Sequence, residues 1–420
     1  MKKVLLLLFL IFITACQNND EVIKSKFDVE LMNLEVSSNS LNFSVLSSIE
    51  NIKFKLLKDE QVIIENTIGE VNEINDLESN TDYVLVIYND TGKKKFDIKT
   101  QKVTTLMFTG DILLGSYFGN YIDQYGVDYP WNDVKSILNR AEVSMVNLET
   151  SVSDRGKSTK SEGYGFRSLP YTLEGLVNSG IDIVSLANNH VIDYGYEAFT
   201  DTFNNLDNYN IKYVGAGKNK EEANKEQCFN VNDLRICYMA STSILGYSHW
   251  KAESDKSGVM YFNKENYEEI LNKIKSVKAT CDYLIYNVHW GVEYSNYPTE
   301  SQKELAHMLV DAGVDILVGH HPHVLQGVEY YKNSLIMYSL GNFIFLIKND
   351  NASRSGIFEI SLDNKEILSS KIYPIEINAC KANLLNKDDS EYKIIIDSLN
   401  ERSNKFGSVI DMYGNIEKIN

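Results

Sequence analysis

Six apolar segments of the sequence each end in side chains of the kinds that bind metal ions or phosphate groups. The residues at these ends are Asp111, Asn147 with Glu149, Asn188 to His190, His289, His320 to His323, and Asn342. Five of the seven histidines lie there, so composition alone does not explain the clustering. Because ligands bind at the carboxyl ends of strands in open α/β sheets, the six ends predict a single site.

The residue types favour a catalytic metal centre over a structural one. His321 and His323 are two residues apart in a loop and can turn toward one ion, while Asp111 and Glu149 supply anionic oxygen. A structural zinc site is the main alternative, but such sites use closely spaced and cysteine-rich ligands. Here the candidates are spread widely along the chain and include no cysteine. The two remaining histidines are expected to be ordinary surface or core residues.

The segments that must position these residues alternate with helical patterns from Val103 onward. Helices are expected at 132–139, 173–178, 197–206, 267–277 and 300–312. Gly180 and Gly313 stand where the ends of helices favour glycine. The alternation predicts an α/β domain over 103–420 built around buried strands, with a late hairpin at Asp363-Asn364.

Residues 26–100 show only short alternating runs, which predict a small all-β sandwich. The runs lie at 27–34, 41–45, 52–57, 62–64, 83–88 and 96–98. The segment 77–83, followed by VLVIY, resembles the end of a fibronectin type III domain, in which Tyr83 would bond back to the backbone. No catalytic residue type stands out in this region, so a spacer or docking module is expected.

The composition limits the kind of partner. The chain has 420 residues and a formal charge of −17. This charge argues against nucleic acid, because phosphate backbones are held by clustered Lys and Arg. An anionic substrate is compatible with it if a bound cation inverts the local charge. The apolar content of 43% excludes global disorder.

Residues 1–16, MKKVLLLLFLIFITAC, resemble a bacterial lipoprotein signal, in which Cys16 would carry lipid and become the mature N-terminus. The alternative is a buried N-terminal helix, but the run has neither a polar face nor a capping signal. Residues 17–25 are polar and indicate a tether. We therefore expect the protein on the extracytoplasmic face of the cell membrane, anchored by lipid.

Two of the other cysteines could form a disulfide in that compartment. Cys228 and Cys237 flank FNVNDLRI, and counting outward from a turn at Asn232-Asp233 places them opposite each other. The alternative is that both are small core residues. Cys281 and Cys380 have no obvious partner in the sequence.

Seven motifs over about 103–347 carry a resemblance to a known family. In chain order they are TGDILLG, VNLET, FRSLP, SLANNHVIDYG, VHWGVEY, VGHHPHVLQGVE and YSLGNF. Together they resemble the CapA family of poly-γ-glutamate and capsule biosynthesis, which is similar to the calcineurin-like metallophosphoesterases. The resemblance implies a two-sheet β-sandwich flanked by helices. It also implies a centre at one edge for two divalent metal ions, such as Mn, Zn or Fe.

The resemblance also implies a role for each motif residue. The metal ligands would be Asp111 and His323 for the first ion, Asn189, His289 and His321 for the second, and Glu149 as the bridge between them. His190 would act as a general acid or stabilise developing charge, and Asp193 would hold its orientation. Arg167 is the candidate for clamping an anionic substrate group, with a structural ion pair as the alternative. Asn147 and Asn342 are further candidates for substrate contacts.

The sequence departs from the superfamily pattern at two positions. Leu113 stands where the superfamily usually has the histidine of an Asp-x-His motif, and Glu149 stands where it commonly has aspartate. Either change could weaken metal binding or alter the preferred metal. His320 and His321 both remain possible ligands, with His321 favoured by its two-residue spacing to His323.

These observations predict a lipid-anchored, metal-dependent hydrolase of a phosphoester or related bond, involved in poly-γ-glutamate or capsule polymer biosynthesis. The alternative is a non-hydrolytic component of a polymer synthesis or export complex, whose metal site binds the anionic polymer or stabilises the fold. A third reading is a cell-surface binding module without metals. The expected partners are the membrane, an anionic polymer and its synthase complex.

Overall fold

The computed structural model describes residues 27–160 and 165–419. The chain divides into two compact units between Thr100 and Gln101. The predictions for 1–16 and 17–25, including lipidation of Cys16, lie outside the described residues. Within the described ranges, no helix is long and apolar enough to cross a membrane.

The first unit is a β-sandwich. Its strands are β1 (Val29–Val36), β2 (Leu41–Ser47), β3 (Lys53–Lys58), β4 (Gln61–Thr67), β5 (Asn72–Ile74), β6 (Asp82–Asn89) and β7 (Gly92–Lys99). One sheet has the order β1-β2-β5 and the other β4-β3-β6-β7. Phe43 and Phe54 meet edge to face in the apolar cluster that both sheets share. The Tyr83 hydroxyl accepts a hydrogen bond from the Glu78 N–H at 2.9 Å, which is the backbone contact expected of this tyrosine.

The second unit is built from two large sheets. Its strands are β8 (Thr104–Ile112), β9 (Val143–Leu148), β10 (Ser151–Val152), β11 (Arg167–Ser168), β12 (Ile183–Ser185), β13 (Lys212–Val214), β14 (Ala216–Gly217), β15 (Gln227–Val231), β16 (Leu234–Thr242), β17 (Gly258–Val259), β18 (Tyr283–His289), β19 (Ile316–His320), β20 (Val328–Tyr331), β21 (Ser334–Met337), β22 (Asn342–Ile344), β23 (Arg354–Leu362), β24 (Ile367–Asn378), β25 (Lys381–Leu384), β26 (Ser408–Ile410) and β27 (Asn415–Lys418). Sheet A has the order β13-β12-β9-β8-β23-β24-β27-β26, with β22 beside β8 and β25 beside β24. Sheet B has the order β15-β16-β18-β19-β21-β20.

Helices flank the two sheets, and the apolar residues of the helix at 390–404 join the cluster that lies between them. They are α1 (Tyr117–Tyr125), α2 (Lys135–Leu138), α3 (Leu173–Asn178), α4 (Gly195–Asn208), α5 (Lys220–Ala223), α6 (Tyr267–Lys278), α7 (Glu300–Ala312), α8 (Asp350–Ser353) and α9 (Ser390–Asn404). Phe108 of sheet A and Ile285 of sheet B belong to one cluster, so the sheets pack face to face. Phe203 of α4 packs on the outer face of sheet A, while Ile274 of α6 and Leu309 of α7 pack on sheet B. This layering is the metallophosphoesterase-like sandwich predicted from the sequence.

Helix α7 shows why the sequence pattern placed its ends well. Thr299 and Gln302 form a capping box at its start. Gly313 follows its last residue with φ of 120°, a value that L side chains rarely adopt. The predicted helix 132–139 is shorter in the structure, because a 3₁₀ turn at Tyr129–Trp131 precedes the four residues of α2.

The hairpin of β15 and β16 brings two cysteines together. Cys228 lies opposite Cys237 in the antiparallel ladder, and a disulfide joins them. Asn232 and Asp233 have φ of 48° and 67°, the positive values that a two-residue type I′ turn requires. The turn therefore sets the register that pairs the cysteines.

Parallel strand pairing delivers the predicted site residues to one edge of the unit. In sheet A, Asp111 of β8 lies opposite Asn147 of β9. In sheet B, His289 of β18 lies opposite His320 of β19. A Cβ at Gly110 would lie 2.1 Å from a carbonyl oxygen of the loop before β22, so glycine is required beside the aspartate.

Candidate metal centre

The predicted ligands meet at the edge where strands of both sheets end. Their positions are Asp111 near the end of β8, Glu149 directly after β9, Asn189 in the loop after β12, His289 at the end of β18, and His321 and His323 in the loop after β19. All except Asn189 are buried. His321 and His323 have φ of 93° and 57°, so the surrounding structure holds that loop in a conformation that histidines rarely adopt.

Glu149 lies at the centre of the cluster. Its Oε1 atom is buried and accepts no hydrogen bond from the described residues. The Nε2 atoms of three histidines surround that oxygen, at 3.6 Å for His289 and at 4.0 Å for His190 and His323. A buried carboxylate oxygen without a donor is costly unless a cation or a proton neutralises it.

Two sets of side chains could each hold a divalent cation. Within each set, one ligand atom per residue lies within 4.8 Å of the others; the sets are Glu149 with His321 and His323, and Asp111 with Glu149 and His289. Asn189 Oδ1 lies 2.7 Å from His289 Nε2 and adds a neutral oxygen to the second set. Because Glu149 belongs to both sets, it has the position of a bridging ligand. The mixed nitrogen and oxygen donors suit Mn, Fe or Zn.

This grouping differs from the one implied by the family resemblance, which paired Asp111 with His323 and His289 with His321. Both pairings remain within reach in the folded chain. His323 Nδ1 is 3.0 Å from Asp111 Oδ2, and the rings of His289 and His321 are 4.8 Å apart. The residues therefore fit divalent cations, whichever ion each histidine joins.

Asp111 is held by its neighbours. Asn147 Nδ2 donates to its Oδ1 at 2.9 Å, and His320 Nδ1 lies 3.0 Å from the same oxygen. Burial alone would raise the pKa of Asp111, but hydrogen bonds from His320 and His323 outweigh burial and hold that pKa well below its ordinary value. The structure thus places His320 beside Asp111 and His321 within the candidate ligand set.

Burial controls the charge state of the other ligands. It lowers the pKa of His289 well below its ordinary value and that of His321 to about 3, with further lowering by neighbouring histidines. Both imidazoles are therefore neutral at physiological pH and carry a lone pair for a cation. Burial and the charge of Asp111 raise the pKa of Glu149 well above its ordinary value.

His190 is oriented by a buried carboxylate, as the sequence predicts for a general acid. Its Nδ1 lies 2.6 Å from Asp193 Oδ2. The same oxygen accepts the Phe166 N–H at 3.0 Å, and the Phe166 ring lies 4.3 Å from the imidazole. These contacts leave Nε2 on the side of Glu149, at the edge of the cluster.

Asn147 and Asn342 contact candidate ligands in the structure, and the substrate contacts expected of them stay a prediction. Asn147 is fully buried, and its Nδ2 donates to both Asp111 and Glu149. Asn342 is also fully buried, and its Oδ1 lies 3.0 Å from His323 Nδ1. Both amides are as buried as Asp111 and Glu149.

Arg167 is partly exposed at the rim. Its guanidinium lies 4.4 Å from the ring of Tyr194 and donates to the Arg155 carbonyl at 3.2 Å. In the described ranges no carboxylate lies within ion-pair distance of it, so the structural ion pair is not found there. Its role as a clamp for an anionic group stays a prediction.

Sequence reasoning missed two features of the site. Asn188 Oδ1 accepts the backbone N–H groups of His190 and Val191, and its Nδ2 donates to Asn147. Its place in the SLANNHVIDYG motif was the available signal. The second feature is Lys160, whose Nζ lies 3.8 Å from Asp193 Oδ1. Nothing in its polar segment distinguishes it from other lysines.

Leu113, which replaces an expected histidine, belongs to a small apolar cluster with Phe166 and Phe345. The Phe345 ring stacks on His323 at 4.7 Å, and Phe166 stacks on His190. Leu113 therefore supplies apolar packing instead of a metal ligand, and the two phenylalanines of its cluster contact His190 and His323.

The two-sheet sandwich and the buried ligand cluster define an α/β protein with a candidate divalent-metal centre. The family model described as bacterial capsule synthesis protein PGA_cap matches residues 105–346, which is more than half of the chain. The chain belongs to this family.

Two Bacillus relatives support the assignment. The chain is 30% identical over 304 residues to the PGA biosynthesis protein CapA of Bacillus subtilis, covering 72% of this chain and 79% of the relative. It is 34% identical over 245 residues to the capsule biosynthesis protein CapA of Bacillus anthracis, covering 57% of this chain and 59% of the relative. The latter match spans less than two thirds of that protein's length.

Solved structures with a similar arrangement include two nucleotidases. The NAD nucleotidase NadN of Haemophilus influenzae has a TM-score of 0.39 and 13% identity, covering 72% of this chain and 63% of that chain. A 5'-nucleotidase of Candida albicans has a TM-score of 0.38 and 13% identity, covering 73% and 60%. Likeness at this level says nothing about the activity of this chain.

Proposed function

We propose that this chain is a metal-dependent hydrolase of a phosphoester or related bond in capsule or poly-γ-glutamate biosynthesis. The observation that supports this most strongly is the buried, unbonded Oε1 of Glu149, which faces three imidazole nitrogens within 4.0 Å. The family and the Bacillus relatives supply the biological setting.

The proposal gives each site residue a task. Two divalent cations would be held by Asp111, Glu149, Asn189, His289, His321 and His323. Divalent cations in such a site act as Lewis acids and lower the pKa of water. His190 would donate a proton from Nε2 to the leaving atom while water oxygen bonds to phosphorus or to an acyl carbon, the bond to that leaving atom breaks, and the proton lost by the water passes to solvent, which returns one to His190. Asp193 keeps a proton on Nδ1 and so aims Nε2 at the reacting atoms.

The first experiment counts bound metal. The full chain, solubilised in detergent, is incubated with Mn²⁺, Zn²⁺ or Fe²⁺, desalted and measured by plasma mass spectrometry. We expect about two ions per chain in the wild type, fewer in the variant Asp111→Asn with His321→Gln, and an unchanged number in the control His307→Gln. A wild type that binds no more metal than the double variant would contradict the proposal.

The second experiment tests hydrolysis by the metal-loaded chain. A phosphomonoester, a phosphodiester and a γ-linked glutamyl peptide are offered to the wild type and to His190→Gln. We expect one class to be hydrolysed by the wild type and much more slowly by the variant. Metal binding without hydrolysis of any class would instead support the non-hydrolytic role in a polymer synthesis or export complex.

We also propose that lipid on Cys16 holds the chain at the extracytoplasmic face of the cell membrane, near an anionic polymer and its synthase. The lipoprotein-like segment 1–16 and the disulfide, which is typical of oxidising compartments, support this location. The variant Cys16→Ser should move from the membrane fraction to the soluble fraction, whereas Cys281→Ser should not. A pull-down from solubilised membranes that recovers neither synthase nor polymer would count against the proposed partners.

A further inference from the structure

Lys160 lies beside the His190–Asp193 pair in a segment that the second unit holds firmly. The N–H and the hydroxyl of Thr159 both donate to the Asp193 carbonyl, at 2.7 and 3.0 Å. The Tyr247 hydroxyl donates to the Thr159 carbonyl at 2.8 Å. The backbone next to Lys160 is therefore tied to the residue that orients His190.

The Lys160 ammonium is largely buried among aromatic rings. Its side chain is 18% exposed, and Nζ lies 5.2 Å from the ring centres of both Tyr247 and Trp250. Asp193 Oδ1 is 3.8 Å from Nζ, which is too far for a hydrogen bond, and accepts none from the described residues. In the part of the chain that the structure describes, the three N–H donors of this ammonium therefore have no acceptor.

The ammonium also lies close to a candidate metal ligand. A Cβ at Gly246 would be 2.8 Å from Lys160 Nζ and equally 2.8 Å from the Asn189 carbonyl oxygen. Both groups thus pack against Gly246, and Trp250 Cζ3 would lie 2.4 Å from the same Cβ, so a side chain at this position would displace one of them. The positive charge of Lys160 therefore lies near both Asp193 of the general-acid pair and the backbone of Asn189.

Such an ammonium is suited to bind an oxyanion. The other oxygen of Asp193 is already engaged by His190 and Phe166, and the surrounding rings exclude much of the water. Hydrogen bonds between an ammonium and an oxyanion are strong where water is excluded. The net charge of −17 opposes capture of an anionic substrate, so a lysine near the metal centre would add to the local positive charge that such a substrate requires.

We propose that Lys160 is a substrate-binding residue that holds a carboxylate or phosphate oxyanion beside the bond that His190 protonates. The inference deepens the proposed function and rests on it for the position of the reacting bond. It assigns the substrate to the class of molecules that carry an oxyanion next to the bond cleaved.

The test measures binding rather than turnover. Calorimetry with the metal-loaded full chain compares three probes: inorganic phosphate, a γ-linked glutamate tetramer, and the same tetramer with its carboxylates amidated. The variants are Lys160→Met, which keeps the aliphatic stem, and Lys157→Met, an exposed lysine of the same segment. Gly246→Ala is a second variant that keeps the lysine but places a methyl group 2.8 Å from its Nζ and 2.4 Å from Trp250 Cζ3, so that the ammonium must shift.

We expect Lys160→Met to weaken binding of an anionic probe by about tenfold or more, with metal content unchanged and Lys157→Met like the wild type. If Lys160→Met weakens the binding of phosphate alone, the oxyanion that Lys160 holds is a phosphate group. If the variant weakens the binding of the tetramer but not of the amidated tetramer, that oxyanion is a carboxylate. If Lys160→Met does not fold, the same weakening is expected of Gly246→Ala.

The inference is overturned if the wild type binds neither anionic probe, or if Lys160→Met binds both as tightly as the wild type. It is also overturned if the variant loses its metal, because Lys160 would then act on the centre itself. Binding that depends on Lys160 in a chain without hydrolytic activity would contradict the proposed hydrolase and overturn the placement of the oxyanion beside a cleaved bond, while the oxyanion site at Lys160 would stand.

Discussion

Replacing Glu149 with glutamine should change the stability of the metal-free and metal-loaded protein in opposite directions. Asn147 Nδ2 lies 2.9 Å from Asp111 Oδ1 and 3.1 Å from Glu149 Oε2. These two carboxylate oxygens are therefore no more than about 6 Å apart, and at an effective dielectric constant of about 20 their charges repel by about 3 kcal/mol. Glutamine keeps the shape of the side chain and removes the repulsion, so the metal-free variant should be the more stable protein.

The size of this gain depends on pH. The pKa of Glu149 is raised in the folded chain by burial and by the charge of Asp111. The wild type therefore loses stability as pH rises from about 4.5 through the folded pKa. Glutamine has no such loss, so the advantage of the variant should grow with pH toward about 3 kcal/mol, the repulsion at a separation of about 6 Å. Measurements above about pH 7.5 avoid the titration of His289 and His321, whose folded pKa values are lowered.

Bound metal should make the wild type more stable than the Glu149→Gln variant. A cation at one hundred times its dissociation constant stabilises the folded state by about 2.7 kcal/mol, so two such cations contribute about 5 kcal/mol. The wild type should gain about this much with Mn²⁺, which exceeds the repulsion of about 3 kcal/mol, and the variant should gain less than about 1 kcal/mol because it has lost the bridging negative charge.

The assay is urea unfolding followed by tryptophan fluorescence, since all three tryptophans lie in the second unit. Glu293→Gln is the matched control, because this exposed carboxylate also contributes to raising the pKa of Glu149. The control should respond to metal like the wild type. The reasoning is refuted if Glu149→Gln is the less stable protein without metal at pH of about 8, or if metal stabilises it as much as the wild type.

Three further outcomes are expected. His190→Gln and Asp193→Asn should each lower kcat by about 10²- to 10⁴-fold in steady-state assays while metal content is kept, because the proton donor or its orientation is lost; equal loss of metal would contradict these roles. Replacing Cys228 and Cys237 with alanine should lower the free energy of unfolding by about 2 to 3 kcal/mol, and reduction of the wild type should have the same effect in urea titrations. Gly110→Ala should lower metal affinity, measured by calorimetry, by about tenfold or more, since its Cβ would lie 2.1 Å from a backbone oxygen and displace the adjacent aspartate.

Features that depend on neighbouring residues could be predicted from the sequence. The register that joins Cys228 to Cys237 follows by counting from the Asn232-Asp233 turn, because hairpin pairing is local. The bounds of α7 follow from its cap and its glycine. Helix α9 was missed because three consecutive isoleucines, 394–396, obscure the helical period. Strand β5 was missed because three residues are too few to show alternation.

By itself the sequence determined which residue types could bind metal and which strand ends carry them, since both depend only on order along the chain. The tertiary structure decided what each side chain contacts. The sequence points to Asn147 and Asn342 as candidates for substrate contacts, and the folded chain brings both into contact with candidate ligands. The sequence does not distinguish Lys160, yet the fold places its ammonium beside Asp193. Such contacts join residues that are far apart in the chain and arise when two sheets and their loops pack together, which no local periodicity encodes.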